Sequence, residues 1–146
     1  MDPIVKLVDF ARRTRYEDLP TSVVDVVKKA IVDTVGAGLA GTSADLGKIV
    51  VQMAKDFGGK AQSSIYVHGD KVPVQEAAFV NAVMARCREL DDVHEGTKRL
   101  GQGMGGHVST MVVPAVMAVA EALTRPVSGK ELIAAILKQN GGVHKT

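Results

Sequence analysis

Residues 20–41 read PTSVVDVVKKAIVDTVGAGLAG, and this stretch decides the fold class. Val24, Val27, Ile31 and Val35 recur at steps of three and four, with Lys28, Lys29 and Asp33 between them. That is the period of an amphipathic helix, not the alternation of a strand. The spacing predicts one long helix over about 20–40. Its end is crowded with small residues, Gly36-Ala37-Gly38-Leu39-Ala40-Gly41. Such a stretch either ends the helix or lets another element approach its backbone closely.

The same period continues on both sides. Asp2 and Pro3 have the form of an N-cap and a first helical residue, and Ile4, Leu7, Val8 and Ala11 follow at helical spacing. Arg12, Arg13 and Arg15 close that helix, where cations suit the dipole. Ser43 is an expected N-cap for a third helix, with Leu46, Ile49, Val50, Met53 and Phe57 on one face and Gly58-Gly59 as its stop. The period then breaks. Ser63 to Val67 is strand-like and His68-Gly69-Asp70-Lys71 turn-like, which predicts one short hairpin near 63–72. Pro73 opens a further helix through Val74, Ala77, Asn81 and Met84 to about Leu90. Ser109, Thr110 and Pro114 start the next, and Ser128 with Glu131 forms a capping box for a last helix to about Lys138. The expected fold is all-α with at most that one β-hairpin, over residues 1–138, and 139–146 form a divergent tail.

Composition agrees with one helical domain. At 146 residues the chain matches about one domain's length. Apolar residues make up 46% and aromatic ones only 3%, a core of aliphatic side chains that suits packed helices better than a β-sandwich. Eighteen basic residues face 16 acidic ones, a balance that gives no footprint for nucleic acid or a membrane surface as partner. Cys87 is the one cysteine, so an intrachain disulfide and an all-cysteine zinc site are excluded. No apolar run is long enough to predict a membrane span, and no secretion signal is visible at the N-terminus, so the expected compartment is the cytoplasm.

Two stretches can carry chemistry. Gly101-Gln102-Gly103-Met104-Gly105-Gly106 spells the dinucleotide-binding glycine pattern, but a charged segment precedes it where that site needs a strand. It reads as a loop. The sharper feature is Glu89-Leu90-Asp91-Asp92-Val93-His94-Glu95, then that loop, then His107-Val108-Ser109. Adjacent carboxylates point in different directions, so Asp91 and Asp92 need not share one role. His107 lies just before a helix start, where the dipole favours an anion. A neutral imidazole beside an anion pocket is suited to proton transfer. Asp91, Asp92, His94 and His107 are also metal-ligand types, yet they lack a tight ligand spacing. The bland alternative is a solvated acidic turn with a capping histidine.

Three segments together resemble the MmgE/PrpD family. They are Tyr16-Glu17-Asp18-Leu19-Pro20 with Asp33 to Gly41, Ala77 to Asn81 through Leu90 to His94, and Gly106-His107 through Val113-Pro114-Ala115 to Ser128-Gly129-Lys130-Glu131-Leu132. The resemblance implies a mostly helical domain carrying part of an active site for di- or tricarboxylates. It implies lyase or epimerase chemistry without metal or organic cofactor, by proton transfer at a carbon next to a carboxylate, in a homodimer or other homo-oligomer. By position it makes His107, Asp91 and Asp92 catalytic candidates. Glu89, His94, Lys98 and Arg99 are the substrate-binding candidates. Glu89 and Val93 stand where the family often has Asp and Thr, Val108 replaces a proline, and the loop from Gly96 to Gly106 is longer than usual, which leaves the substrate open. Family members run to about three times this length, so the chain is expected to be a truncated form with little turnover of its own. The rival class is a non-catalytic helical module that self-associates.

Overall fold

A computed structural model describes residues 2–93 and 106–139. Among them are six helices and a single two-stranded hairpin: α1 Pro3–Arg13, α2 Thr21–Gly41, α3 Asp45–Phe57, β1 Ser63–Ser64, β2 Lys71–Val72, α4 Val74–Arg86, α5 Val108–Ala122 and α6 Gly129–Gln139. The expected all-α class with one hairpin is the observed one. A 3₁₀ turn at Tyr16–Asp18 joins α1 to α2.

Several boundaries follow the expected chemistry. Asp2 caps α1 by accepting the Ile4 amide at 2.9 Å. Ser128 and Glu131 form the expected capping box, with the Glu131 amide donating to Ser128 Oγ and the Ser128 amide to Glu131 Oε2. Others are corrected. The first helix ends at Arg13, and Arg15 belongs to the 3₁₀ turn. Ser43 is not the cap of α3; Ala44 holds that position, and the Ser43 hydroxyl turns back to the Ala40 carbonyl. Pro114 does not start α5 but lies inside it, because α5 already begins at Val108. The face of α3 is also rotated from expectation. Gly47, Val50, Val51 and Ala54 are buried, whereas Leu46, Ile49 and Phe57 are exposed.

Two apolar clusters hold the elements together. Val50, Val51 and Ala54 of α3 meet Ile65 and Val72 of the hairpin region, Ala77, Val80 and Met84 of α4, and Ala118 of α5. Val24 and Val27 of α2 meet Val113 of α5 and Ile133, Ile136 and Leu137 of α6. Helix α5 contributes to both. Asn81, fully buried in α4, acts as a surrogate strand: its Oδ1 accepts the Tyr66 amide and its Nδ2 donates to the Ser64 carbonyl. On the other side Glu121 takes the Ser64 amide and hydroxyl and pairs with Lys71 at 3.1 Å. Burial pushes the Glu121 carboxyl up, but these three donors outweigh it and hold it below its ordinary range.

The small residues ending α2 are a packing seam, and the helix also ends with them, at Gly41. A Cβ at Gly38 would sit 3.0 Å from the Tyr66 ring, and one at Gly41 would overlap the Met84 carbonyl of α4. Gly36, by contrast, faces open space. Gly41→Ala is therefore expected to lower unfolding free energy by about 3 kcal/mol through forced separation of α2 and α4. Gly36→Ala is expected to raise it by about 0.5–1 kcal/mol through helix propensity. Urea denaturation of both variants checks the contrast.

Glu131 provides a pH test. The Arg125 guanidinium, hydrogen-bonded to it, and the Ser128 amide and hydroxyl lower its carboxyl to about 2. An unfolded glutamate ionises near about 4.3. The folded chain therefore binds fewer protons in that interval, so this stabilisation is complete above about pH 4.3 and is lost as pH falls to about 2. Glu121 acts with the same sign. The melting midpoint is expected to fall through this range, and Glu131→Gln to flatten that slope while lowering the midpoint at neutral pH.

Candidate active site

The helix expected to reach Leu90 stops at Arg86. Glu89 adopts a left-handed φ of 52°, and its amide donates to the Arg86 carbonyl. This turns the chain off the α4 axis. Asp91 and Asp92 thus escape the helix C-terminus, where carboxylates oppose the dipole.

The two acids then diverge. The Asp91 side chain is fully buried, and its Oδ2 lies 2.7 Å from His107 Nδ1. A carboxylate can only accept, so Nδ1 carries the hydrogen and donates it. In the neutral ring the lone pair is then on Nε2, and the ring is about one-third exposed (31%). Arg86 Nη1 stands 3.7 Å from Asp91 Oδ1 and 3.4 Å from Glu89 Oε1. It supplies charge to the buried acid without a hydrogen bond, and no side chain or amide among the described residues donates one to Asp91 Oδ1.

Asp92 faces the other way and is exposed. Its Oδ2 accepts the hydroxyl of buried Ser109 at 2.8 Å, and its amide donates to Asp33 Oδ2 of α2 at 3.2 Å. His107 is the N-cap of α5, but its side chain does not cap the helix, being turned to Asp91. The Thr110 hydroxyl donates to the His107 carbonyl at 2.8 Å and fixes this first turn.

The structure thus brings together His107 and Asp91, with Asp92 on the same α5 turn through Ser109. Glu89 is exposed and, among the described residues, reaches the site through Arg86. His94, Lys98 and Arg99 lie outside the described residues. The four-residue metal alternative includes His94 and so lies partly outside them too; among the described residues no group of three His, Cys, Asp or Glu is placed to hold a metal ion. Cys87 is half-buried, with its thiol against the Met84 carbonyl at 3.4 Å.

Residues 5–138 match the family model described as the MmgE/PrpD N-terminal domain. The chain belongs to the MmgE/PrpD family. It is 34% identical over 121 residues to cis-aconitate decarboxylase of Homo sapiens, a match covering 80% of this chain and 23% of that protein. The same-named protein of Mus musculus is 30% identical over 125 residues, covering 83% and 24%. That of Aspergillus terreus is 24% identical over 135 residues, covering 90% and 26%. The chain spans about a quarter of the length of the curated relatives it matches. Among the described residues no helix is long and apolar enough to cross a membrane.

Sequence reasoning missed Asp33 as part of this site and gave Ser109, quoted beside His107, no role in it. Asp33 lies in the long apolar period of α2, and no local spacing links residue 33 to residue 92. Ser109 reads as a helix-start residue, which it also is. The Ser109–Asp92 bond is charge-assisted and half-shielded, so a double-mutant cycle of Ser109→Ala and Asp92→Ala should give a coupling of about 1–2 kcal/mol in urea denaturation. Additive effects would mean the two side chains do not meet in solution.

Proposed function

We propose that this chain is the N-terminal part of a cofactor-independent lyase. Its substrate would be a di- or tricarboxylate, and His107 would move a proton at a carbon next to a carboxylate. The observation that carries this reading is the 2.7 Å contact of His107 Nδ1 with the buried Asp91 carboxylate, which puts the lone pair of the neutral ring on Nε2. As a base, Nε2 takes the carbon-bound proton, and the imidazolium so formed is stabilised by Asp91. The electron pair left on carbon forms a double bond to the next carbon and expels its hydroxyl, which leaves as water with the proton that the imidazolium gives back. In the protonated ring, which bears hydrogen on both nitrogens, Nε2–H acts as an acid: it delivers its proton to the carbon that receives the electron pair when a C–C bond breaks and carbon dioxide departs, and the ring returns to the neutral Nδ1–H form. The matched relatives are named as decarboxylases, which favours the second course here. Epimerisation would need, beside His107, a second proton donor on the opposite face of the carbon. Asp92 serves in this scheme as a positioning group beside the α5 terminus; Lys98, Arg99 and His94 are candidates for holding the substrate's carboxylates, and Glu89 is a substrate-binding candidate only as an acceptor, for a hydroxyl.

The test is deuterium wash-in from D₂O at the carbon next to a carboxylate, with citrate-like and aspartate-like acids and the chain as it stands. Slow exchange is expected for at least one acid, falling about 100-fold or more in His107→Gln and in Asp91→Asn. Exchange that survives His107→Gln unchanged removes His107 from the mechanism.

One observation favours a second reading, a helical module that self-associates without catalysis. Leu46, Ile49 and Phe57 form a stripe on α3 exposed by 50, 62 and 68%. Absence of exchange with every acid, together with a concentration-dependent dimer in sedimentation, would favour that module.

A further inference from the structure

We propose that Asp33 of α2 is a positioning residue for the Asp91–His107 pair; this rests on the proton-transfer reading of that pair. The segment from Cys87 to Val93 is irregular, and its interior holds the buried carboxylate on which His107 depends. A one-residue rotation there would carry the Asp91 side chain away from the imidazole, because consecutive side chains point in different directions. Asp92, the next residue, is held at both ends. Its amide donates to Asp33 Oδ2 at 3.2 Å, and its carboxylate takes the Ser109 hydroxyl at 2.8 Å. The first bond fixes the peptide plane between Asp91 and Asp92 against α2. The second ties the same residue to α5, two positions beyond His107. Asp33 therefore locks the backbone orientation that aims Asp91 inward.

Asp33 acts by accepting a hydrogen bond, not by contact with the substrate's reacting atoms. It is exposed, and its side chain adds little to either apolar cluster. A purely structural aspartate at this place would affect stability alone. A positioning aspartate sets which nitrogen of His107 bears the hydrogen, since a displaced Asp91 no longer accepts from Nδ1–H.

The experiment is ¹⁵N NMR of the His107 ring in the full chain, with amide hydrogen exchange at Asp92, for the wild type, Asp33→Ala and Asp33→Asn. In the wild type the Nδ1–H tautomer and a protected Asp92 amide are expected. In Asp33→Ala, Asp92 exchange is expected to rise about tenfold or more, the loss of one charge-assisted bond, and Nε2–H to become the major tautomer while the melt stays cooperative. Asp33→Asn keeps an acceptor oxygen and should restore both signals. A Nδ1–H tautomer that survives Asp33→Ala overturns the role of Asp33 alone. A wild-type ring already in the Nε2–H form overturns the pair itself, and with it the reading on which this rests. If Asp33→Ala does not fold, the wild-type Asp92 amide decides: exchange at the rate of a free amide overturns the bond.

Discussion

The approach of α2 to α4 at Gly41 is the constraint from which the site follows. With no side chain at Gly41, the backbone of α2 lies directly against the Met84 carbonyl. Two helices packed this closely place the segment that leaves α4 alongside the middle of α2. That is why a carboxylate in α2, Asp33, reaches the amide of Asp92 across 59 positions of sequence. Gly47 at the start of α3 belongs to the same junction, since a Cβ there would overlap the Gly41 carbonyl. Three elements therefore meet at one glycine, and larger residues would open the seam and move Asp91 with it.

Burying a carboxylate costs several kcal/mol unless charge and hydrogen bonds replace the lost water. Asp91 is compensated unevenly. Oδ2 has the His107 donor, while Oδ1 has only the charge of Arg86 at 3.7 Å and no described hydrogen-bond donor. Such an arrangement is poor as a stability device, because an apolar side chain in that place would avoid the desolvation altogether. It is good as a ring-orienting device. The carboxylate fixes one imidazole nitrogen as a donor and leaves the lone pair of the neutral ring on the other. The left-handed Glu89 points the same way, since a non-glycine residue in that region is a local cost borne by the turn that delivers Asp91.

Much of the helical frame was legible from periodicity and caps because those signals are local. The 3.6-residue period of α2, the Asp2 cap of α1 and the Ser128 capping box of α6 need nothing beyond neighbouring residues. The failures have a common cause in tertiary packing. The α3 face turned by about one position because the Gly47 edge, not the larger Leu46–Phe57 stripe, fits against α2 and α4. The end of α4 was invisible because a left-handed glutamate is set by the contacts of Arg86 and Asp91, not by helix propensity. At the site, Asp91, Asp92 and His107 stood out as residue types flanking a loop, and the family resemblance singled out the same three. Asp33 and Ser109 did not, because their significance exists only after α2, α5 and the turn have met.

The charge around His107 carries a consequence for the proposed chemistry. Among the described residues, Asp33, Glu89, Asp91 and Asp92 cluster about this junction with Arg86 as their charged counterpart, while Arg88 is turned away to the Ser43 hydroxyl at 2.9 Å. A polycarboxylate entering such a place meets net repulsion, which Arg86, already beside Asp91 and Glu89, does little to relieve. Binding therefore requires cations from beyond these elements. Lys98 and Arg99 follow directly in sequence, and the relatives extend about three-quarters of their length beyond the matched region. On this reading the helical part holds and orients the proton-moving group, and the groups that grip the substrate's charges come from elsewhere. The proposed division would suit a dyad built from backbone-anchored, mutually braced residues, whose alignment is set within the helical part itself.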